Sequence, residues 1–195
     1  MNLGTFFTQI QQDWPTRTVL QPPRAPSLVA SGPLAAVYRI ADSISLPFAT
    51  IEPSEVFTRD TNVFENYRSF GGNEILMFLV RTDADEASPV YAWDHESQTP
   101  VEEWEHDSVE AMLFDLYKDF IESSTPCRMC VTKSDPAANA SLISAFRKLT
   151  NANLSEAKAR VTHLPLKIET TVQAAFPLLS ILRGVGCIVF LEKDF

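Results

Sequence analysis

Glycine, cysteine and positive charge are scarce in this sequence. Its 195 residues include six glycines, three cysteines and three histidines, and 25 acidic residues stand against 16 basic ones. So few glycines leave little material for a phosphate-binding loop, and neither a nucleotide fingerprint nor a G-x-S-x-G motif is present. Three cysteines do not suggest a disulfide framework. The net charge of −9 argues against a nucleic-acid partner, because phosphate binding needs a basic patch.

Long apolar runs are also missing. The longest ones, near 176–182 and 187–191, are far shorter than the ~20 residues that a membrane span needs. The first residues, MNLGTFFTQIQQDW, lack the basic start of a secretion signal. We therefore expect a cytoplasmic protein with no membrane partner.

The overall composition is that of a folded protein, and the two halves of the chain differ in charge. Hydrophobic residues make up 45% of the chain and charged residues 21%, which is typical of globular proteins. Residues 1–123 hold 20 acidic and 7 basic side chains, whereas residues 124–195 hold 5 and 9. This asymmetry predicts an acidic domain over 1–123 and a second domain over 124–195, with the linker ESSTP at 122–126.

The first half shows the patterns of helices flanking short strands, an α+β arrangement. Phe6, Phe7 and Ile10 give the first helix its apolar side, and Ser108 is placed to cap the last helix of this half. The run EILMFLV is apolar enough for a central strand that is covered on both faces. We predict helices at 3–14, 34–43 and 108–121 and strands at 48–51, 74–80 and 90–94, of which the last two are adjacent and antiparallel.

The second half has a compact alternating pattern. Asn153 or Ser155 is suited to begin a helix, and Gly184 and Gly186 are suited to end one. The order is strand, helix, helix, strand, helix, strand. We predict strands at 128–133, 165–172 and 187–193, and helices from 135 or 139 to 150, at 154–162 and at 173–183.

The stretch from Val90 to Phe120 carries nine acidic residues and a single lysine. A solvated acidic face is one interpretation. The other is a binding surface, because crowded carboxylates repel one another until a cationic partner arrives, and tryptophan is enriched at binding hot spots. On that interpretation the predicted partner-binding residues are Trp93, Asp94, Glu96, Glu102, Glu103, Trp104, Glu105 and Asp107.

The cysteines and histidines offer weaker alternatives. Cys127 and Cys130 match C-x-x-C, a pattern found in redox sites and in halves of zinc sites, but the pair falls at the start of a predicted strand and lacks two further zinc ligands. His95 and His106 flank the acidic stretch, where we expect hydrated histidines in turns. We predict no catalytic residue, no metal site and no cofactor.

The first half resembles the SUKH family of immunity proteins over about 30–123. The resemblance rests on ISLPF (44–48), RSFGGNEILMFLV (68–80), PVYAWDHE (89–96) and the helix SVEAMLFDLYKDFI (108–121). It implies an α+β domain with a mixed sheet and flanking helices. It also implies neutralisation of a cognate toxin by direct binding.

The second half resembles the C-terminal domain of the bacterial ribosomal stalk protein over about 128–193. The segment LISAFRKLTNANLSEAKARVTHLP (142–165) carries this resemblance. It implies a β-α-α-β-α-β domain with a three-stranded antiparallel sheet. It also implies a second contact face on the first two helices, at Ile143, Arg147 and Lys158.

These observations predict a non-catalytic immunity protein that binds a cognate secreted bacterial toxin with a basic surface and occludes its active site. The rival hypothesis is a translation-linked adaptor that contacts a GTPase through the stalk-like domain. A third alternative is an enzyme that uses the cysteine pair.

Overall fold

The computed structural model of the chain describes residues 2–24, 28–29, 31–59, 66–94 and 104–193. It divides into two compact units. The first comprises Met1–Thr8 with Thr18–Tyr117, and the second comprises Gln9–Arg17 with Lys118–Phe195. The first unit has 17 acidic and 5 basic side chains, and the second has 8 and 11. Charge is therefore segregated between the units.

A seven-stranded antiparallel sheet forms the centre of the first unit. Its strands follow one another in chain order, from β1 to β7. The strands are β1 (Val19–Gln21), β2 (Ser43–Ser45), β3 (Thr50–Ile51), β4 (Tyr67–Gly72), β5 (Leu76–Arg81), β6 (Val90–Asp94) and β7 (Glu105–His106). The helices are α1 (Leu3–Asp13), α2 (Ala35–Tyr38), α3 (Ser54–Arg59) and α4 (Val109–Ile121), of which α1 and α4 also contribute residues to the second unit.

The predicted α+β class is confirmed, whereas the predicted mixed sheet is wrong for the described residues. Each pair of neighbouring strands is antiparallel. A parallel pair needs a crossover connection of a dozen or more residues, and most links here are shorter than that. The pairing of 74–80 with 90–94 is confirmed, as Met77 lies opposite Trp93 and Leu79 opposite Tyr91.

The helix predicted at 34–43 is wrong in length, since α2 ends at Tyr38. Beyond it, the backbone N–H of Asp42 donates to the carbonyl of Gln21, and Ser43–Ser45 pairs with β1. The end of the predicted helix therefore takes part in the sheet instead, because pairing with β1 outweighs the helical pattern of its sequence. The helix at 108–121 is confirmed as α4, and Ser108 Oγ accepts a hydrogen bond of 3.1 Å from the N–H of Ala111.

The second unit contains a three-stranded antiparallel sheet in the order β10–β8–β9. Helices α5 and α7 pack against its strands. The described element order matches the predicted strand, helix, helix, strand, helix, strand. The elements are β8 (Pro126–Lys133), a short 3₁₀ turn (Pro136–Ala138), α5 (Asn139–Thr150), α6 (Leu154–Val161), β9 (Leu166–Thr171), α7 (Val172–Gly184) and β10 (Ile188–Glu192).

Asparagines make the tight turn between α5 and α6. Asn151 ends α5 in the left-handed conformation with φ 57°, which asparagine tolerates better than most residues. Asn153 then caps α6, because its side-chain oxygen accepts a hydrogen bond of 3.0 Å from the N–H of Glu156. The sequence TNAN thus ends one helix and starts the next within four residues.

Candidate interaction surface

Strand β7 forms one edge of the seven-stranded sheet. His106 lies opposite Val90, and Glu105 lies opposite Tyr91. Successive side chains of a strand point to opposite faces. The side chain of His106 is directed towards α4, where its Nδ1 lies 3.3 Å from a carboxylate oxygen of Asp115. Glu105 therefore belongs to the other face of the sheet.

That other face carries an aromatic and apolar cluster. Leu79, Tyr91 and Trp93 are buried there, and Tyr67 and Met77 pack against them. We call these five residues the aromatic face. The rings of Tyr67 and Tyr91 meet edge to face, with centroids 5.4 Å apart. Glu105 adjoins this face through its pairing with Tyr91.

Trp104, immediately before β7, leaves 45% of its surface exposed. Its neighbour Glu105 and the nearby Asp107 are exposed as well. We call Trp104, Glu105 and Asp107 the acidic edge. Within the described ranges, no lysine or arginine forms an ion pair with either carboxylate. A large exposed ring beside uncompensated negative charge is the kind of surface that a cationic protein surface can cover.

Not all of the predicted partner-binding residues are presented in the same way. Trp93 is only 9% exposed and packs within the aromatic face. Asp94 ends β6 opposite Leu76 and is partly exposed. The predictions for Glu96, Glu102 and Glu103, and that for His95, fall outside the described residues.

Arg81 is a basic residue that shares the aromatic face by register, because it lies opposite Tyr67. It is already paired, since its Nε and Nη2 donate hydrogen bonds of 3.0 and 3.1 Å to the carboxylate of Asp83. These hydrogen bonds from Arg81 are the main reason why the pKa of Asp83 lies below its ordinary value. Arg81 is thus engaged with Asp83 rather than with Glu105.

The second predicted contact face lies on α5 and α6. Arg147 and Lys158 are exposed and Ile143 is partly buried. Arg147 Nε donates a hydrogen bond of 3.3 Å to the carbonyl oxygen of Ala152, which holds the guanidinium over the turn between the helices. Leu154, at the start of α6, adds an exposed apolar side chain.

The C-x-x-C cysteines occupy strand β8, as predicted, and are free thiols. Residues three apart in a strand point to opposite faces, so Cys127 and Cys130 cannot join in a disulfide without disrupting the strand. Burial raises the pKa of Cys127 to about 12. Burial, followed by a hydrogen bond with Glu192, raises the pKa of Cys130 to about 12. Both thiols are therefore poor nucleophiles at neutral pH.

The prediction of hydrated, turn-located histidines is wrong for His106. This residue lies in β7, its side chain is mostly buried, and it contacts Asp115. An edge strand of two residues, such as β7, is too short to show an alternating pattern, so the sequence does not predict it. His163 is exposed just after α6.

The described residues lack a metal cluster and a membrane-spanning helix. They contain no group of three or more His, Cys, Asp or Glu side chains placed to hold a metal ion. Their helices include none with both the length and the apolar character required to cross a membrane.

Sequence reasoning missed a buried ion pair in the second unit. Asp13, on α1, is almost fully buried and pairs with the guanidinium of Arg183 on α7. Arg183 Nη2 also donates to the carbonyl oxygens of Gln12, at 3.1 Å, and Val189, at 2.8 Å. The two partners are 170 residues apart, and no local pattern signals a contact at that separation.

Comparisons with known proteins returned no match: no family model, no curated protein and no solved structure matches this chain.

Proposed function

We propose that this protein is an immunity protein that binds a cognate secreted toxin and occludes its active site. The observation that carries the proposal is the acidic edge, where the exposed Trp104 is followed by Glu105 and Asp107, two exposed carboxylates that have no lysine or arginine partner among the described residues. The resemblance of the first half to SUKH immunity proteins supports the same function. The partner is a toxin with a basic surface.

Charge sets the first stage of binding. The first unit has 17 acidic side chains against 5 basic ones, so a basic toxin meets an attractive field before contact. Such a field raises association rates by about 10–10³. Each exposed ion pair adds only ~0–1 kcal/mol to the affinity. Electrostatics therefore provides speed and orientation more than strength.

Burial of apolar surface on binding supplies most of the affinity. Trp104 has surface left to bury, whereas Trp93 is largely enclosed by the aromatic face. Truncation of a central tryptophan at an interface typically costs about 2–4 kcal/mol. We assign Trp104 as the anchor and Glu105 and Asp107 as its charged surroundings. Trp93, with Tyr91, supports the strand that pairs with Glu105.

Occlusion of a toxin's active site requires binding and no catalytic residue of this chain. A toxin that acts on nucleic acid or another anionic substrate needs a basic cleft, and a carboxylate surface is complementary to such a cleft. A bound acidic edge would fill the position of the substrate. The second unit, with its basic excess, would give a further contact area through Ile143, Arg147 and Lys158.

A protection assay in cells tests the function. The protein encoded beside this gene would be expressed as the toxin, together with the full chain. We expect wild type to restore growth, and a variant with Trp104→Ala and Glu105→Lys to lose most protection at equal abundance. The matched controls are Val19→Ala, which trims an exposed side chain on the opposite edge strand β1, and Glu156→Lys, which makes the same charge change on α6. Full protection by the acidic-edge variant would refute the assigned surface.

The second candidate function is a translation-linked adaptor. It is favoured by the exposed Arg147, Lys158 and Leu154 on two neighbouring helices, a basic and apolar combination suited to an acidic helix of a GTPase. Retention of an elongation factor by the purified chain, abolished by Arg147→Glu with Lys158→Glu, would favour the adaptor. No retention, together with cell protection, would favour the immunity protein.

A further inference from the structure

The two edge strands of the three-stranded sheet, β10 and β9, differ in whether their outward-facing backbone groups are hydrogen-bonded. On the β10 side, Arg183 donates hydrogen bonds of 2.8 Å from Nη2 and 3.2 Å from Nε to the carbonyl oxygen of Val189. Arg17 Nε donates one of 3.3 Å to the carbonyl oxygen of Lys193. Guanidinium groups therefore occupy one backbone acceptor in β10 and one just after its end, and another strand cannot pair there without displacing them.

Strand β9 has no such protection. Leu166–Thr171 pairs with β8 on one side, and no other backbone group of the described residues bonds to it. Alternate residues of an edge strand direct their N–H and C=O groups away from the sheet. β9 thus offers unpaired backbone donors and acceptors at every second one of its six residues.

The sequence of β9 is complementary to itself. Lys167 and Glu169 flank Ile168, and both charged side chains point to the exposed face of the sheet. When two copies of the strand pair antiparallel about Ile168, Lys167 of each copy lies opposite Glu169 of the other. Opposite charges in directly facing positions stabilise a strand pair, and like charges destabilise it.

The charges also select one register. A two-fold pairing that keeps the helices of both copies on the same face requires facing residues of equal parity. The two nearest alternatives place Lys167 opposite Lys167 or Glu169 opposite Glu169. Of the three arrangements, pairing about Ile168 is the one in which two opposite-charge pairs form between the copies.

Contacts inside each copy already order these charges. Lys167 Nζ lies 3.3 Å from Glu192, and an Arg128 guanidinium nitrogen lies 3.6 Å from Glu169. Glu192, Arg128 and Glu169 face one another across the sheet. Adding Lys167 of a second copy extends this row of alternating charge, negative, positive, negative, positive. Glu169 is 73% exposed at its side chain and is accessible to that lysine.

We propose that β9 is a self-association edge, through which two copies of this chain form a continuous six-stranded antiparallel sheet about Ile168. The interface is isologous, so the same strand serves both copies. Because it rests on one short strand, the dimer is weak and depends on protein concentration. This inference concerns the second unit and does not depend on the proposed toxin partner.

Sedimentation equilibrium of the full chain tests the inference, from about 10 µM to about 1 mM at low ionic strength, where exposed charge pairs are least screened. We expect a monomer–dimer equilibrium. Glu169→Lys and Lys167→Glu, each alone, should raise the dimer dissociation constant by about tenfold or more, since each variant places like charges opposite each other. The double variant, Lys167→Glu with Glu169→Lys, should dimerise more tightly than either single variant because opposite charges again face each other across the interface, although less tightly than wild type because the cation at position 169 then faces Arg128.

Two controls keep the test decisive. Glu156→Lys makes the same charge change on α6 and should leave the equilibrium unchanged, and circular dichroism should show that each variant is folded. Hydrogen exchange of the β9 amides should slow with concentration, while that of β10 should not. A wild-type chain that stays monomeric throughout would overturn the inference. So would a dimer that ignores both single reversals, or one that the double reversal does not rescue. A β9 edge that pairs with a different protein while the chain stays monomeric would overturn it as well.

Discussion

His106 Nδ1 lies 3.3 Å from a carboxylate oxygen of Asp115, which connects the edge strand β7 to helix α4. The contact shows which face of the sheet His106 occupies, and strand alternation places its neighbour Glu105 on the other face. Asp115 is 66% exposed at its side chain, so water weakens the interaction.

The first prediction concerns this contact. A double-mutant cycle of His106→Ala and Asp115→Ala should give a coupling free energy of about 0.2–1 kcal/mol by urea denaturation, because the Asp115 carboxylate is solvated. Asp119→Ala on the same helix, for which no ion pair is described, is the matched control and should show no coupling to His106→Ala. Coupling of equal size with Asp119 would mean that the distance does not report an interaction.

The second prediction concerns Asp13 and Arg183. Arg183→Ala should cost about 3 kcal/mol in the free energy of unfolding, because it leaves the buried Asp13 carboxylate without its main cation and removes the hydrogen bonds to Gln12 and Val189. Asp13→Ala should cost less, since Arg183 is partly exposed and keeps its two carbonyl acceptors. Denaturant titrations of both variants provide the measurement. Equal costs would show that the buried carboxylate is stabilised by other groups, such as Gln9, whose Nε2 donates to it at 3.1 Å.

The third prediction concerns pH. The pKa of Cys127 is raised from 9.0 to about 12 by burial, so the folded state holds this proton more tightly than the unfolded state does. Its contribution to stability is complete below about pH 9 and is lost as the pH rises towards about 12. Cys127→Ala should therefore reduce the fall in the free energy of unfolding between about pH 8 and about pH 10.

Thiol labelling gives an independent readout of the same burial. With a chromogenic disulfide at about pH 8, the native chain should react slowly and the unfolded chain at once, because the thiolate is the reactive form. Rapid labelling of the native protein at Cys127 or Cys130, or an unchanged pH slope in Cys127→Ala, would contradict the assigned burial.

The fourth prediction concerns two glycines. A Cβ at Gly71 would collide with the carbonyl oxygen of Thr50, because β3 and β4 pass directly beside each other there. Gly71→Ala should cost about 1–3 kcal/mol or more. Gly184→Ala is the matched control, since nothing lies within 4 Å of its Cβ, and it should be neutral or stabilising by up to about 1 kcal/mol. Thermal unfolding of the two variants compares them directly.

Local signals sufficed for much of the second unit. The Asn-rich turn, the caps and the helical stripes predict α5, α6 and α7 to within about two residues, because each of these helices is defined by neighbours in the sequence. The same holds for α4 with its Ser108 cap. Strand β6 was predicted with its observed bounds, since an apolar run ends there in Asp94.

Other parts of the fold could not be predicted, because they depend on pairing between residues that are far apart in the sequence. β1, β2 and β7 have two or three residues each, and they exist because a neighbouring strand offers hydrogen bonds. The burial of Trp93 has the same origin, as its register with Met77 places it in the aromatic face. Composition alone could not separate that tryptophan from the exposed Trp104.

Isothermal titration calorimetry of the purified full chain against the protein encoded beside its gene tests the central claim most directly. Wild type should bind, more tightly at low salt, and Trp104→Ala should raise the dissociation constant at least about tenfold, whereas Val19→Ala should leave it unchanged. A dissociation constant that neither Trp104→Ala nor added salt alters, or the absence of binding by wild type at low salt, would contradict an acidic, tryptophan-anchored surface as the site of toxin capture.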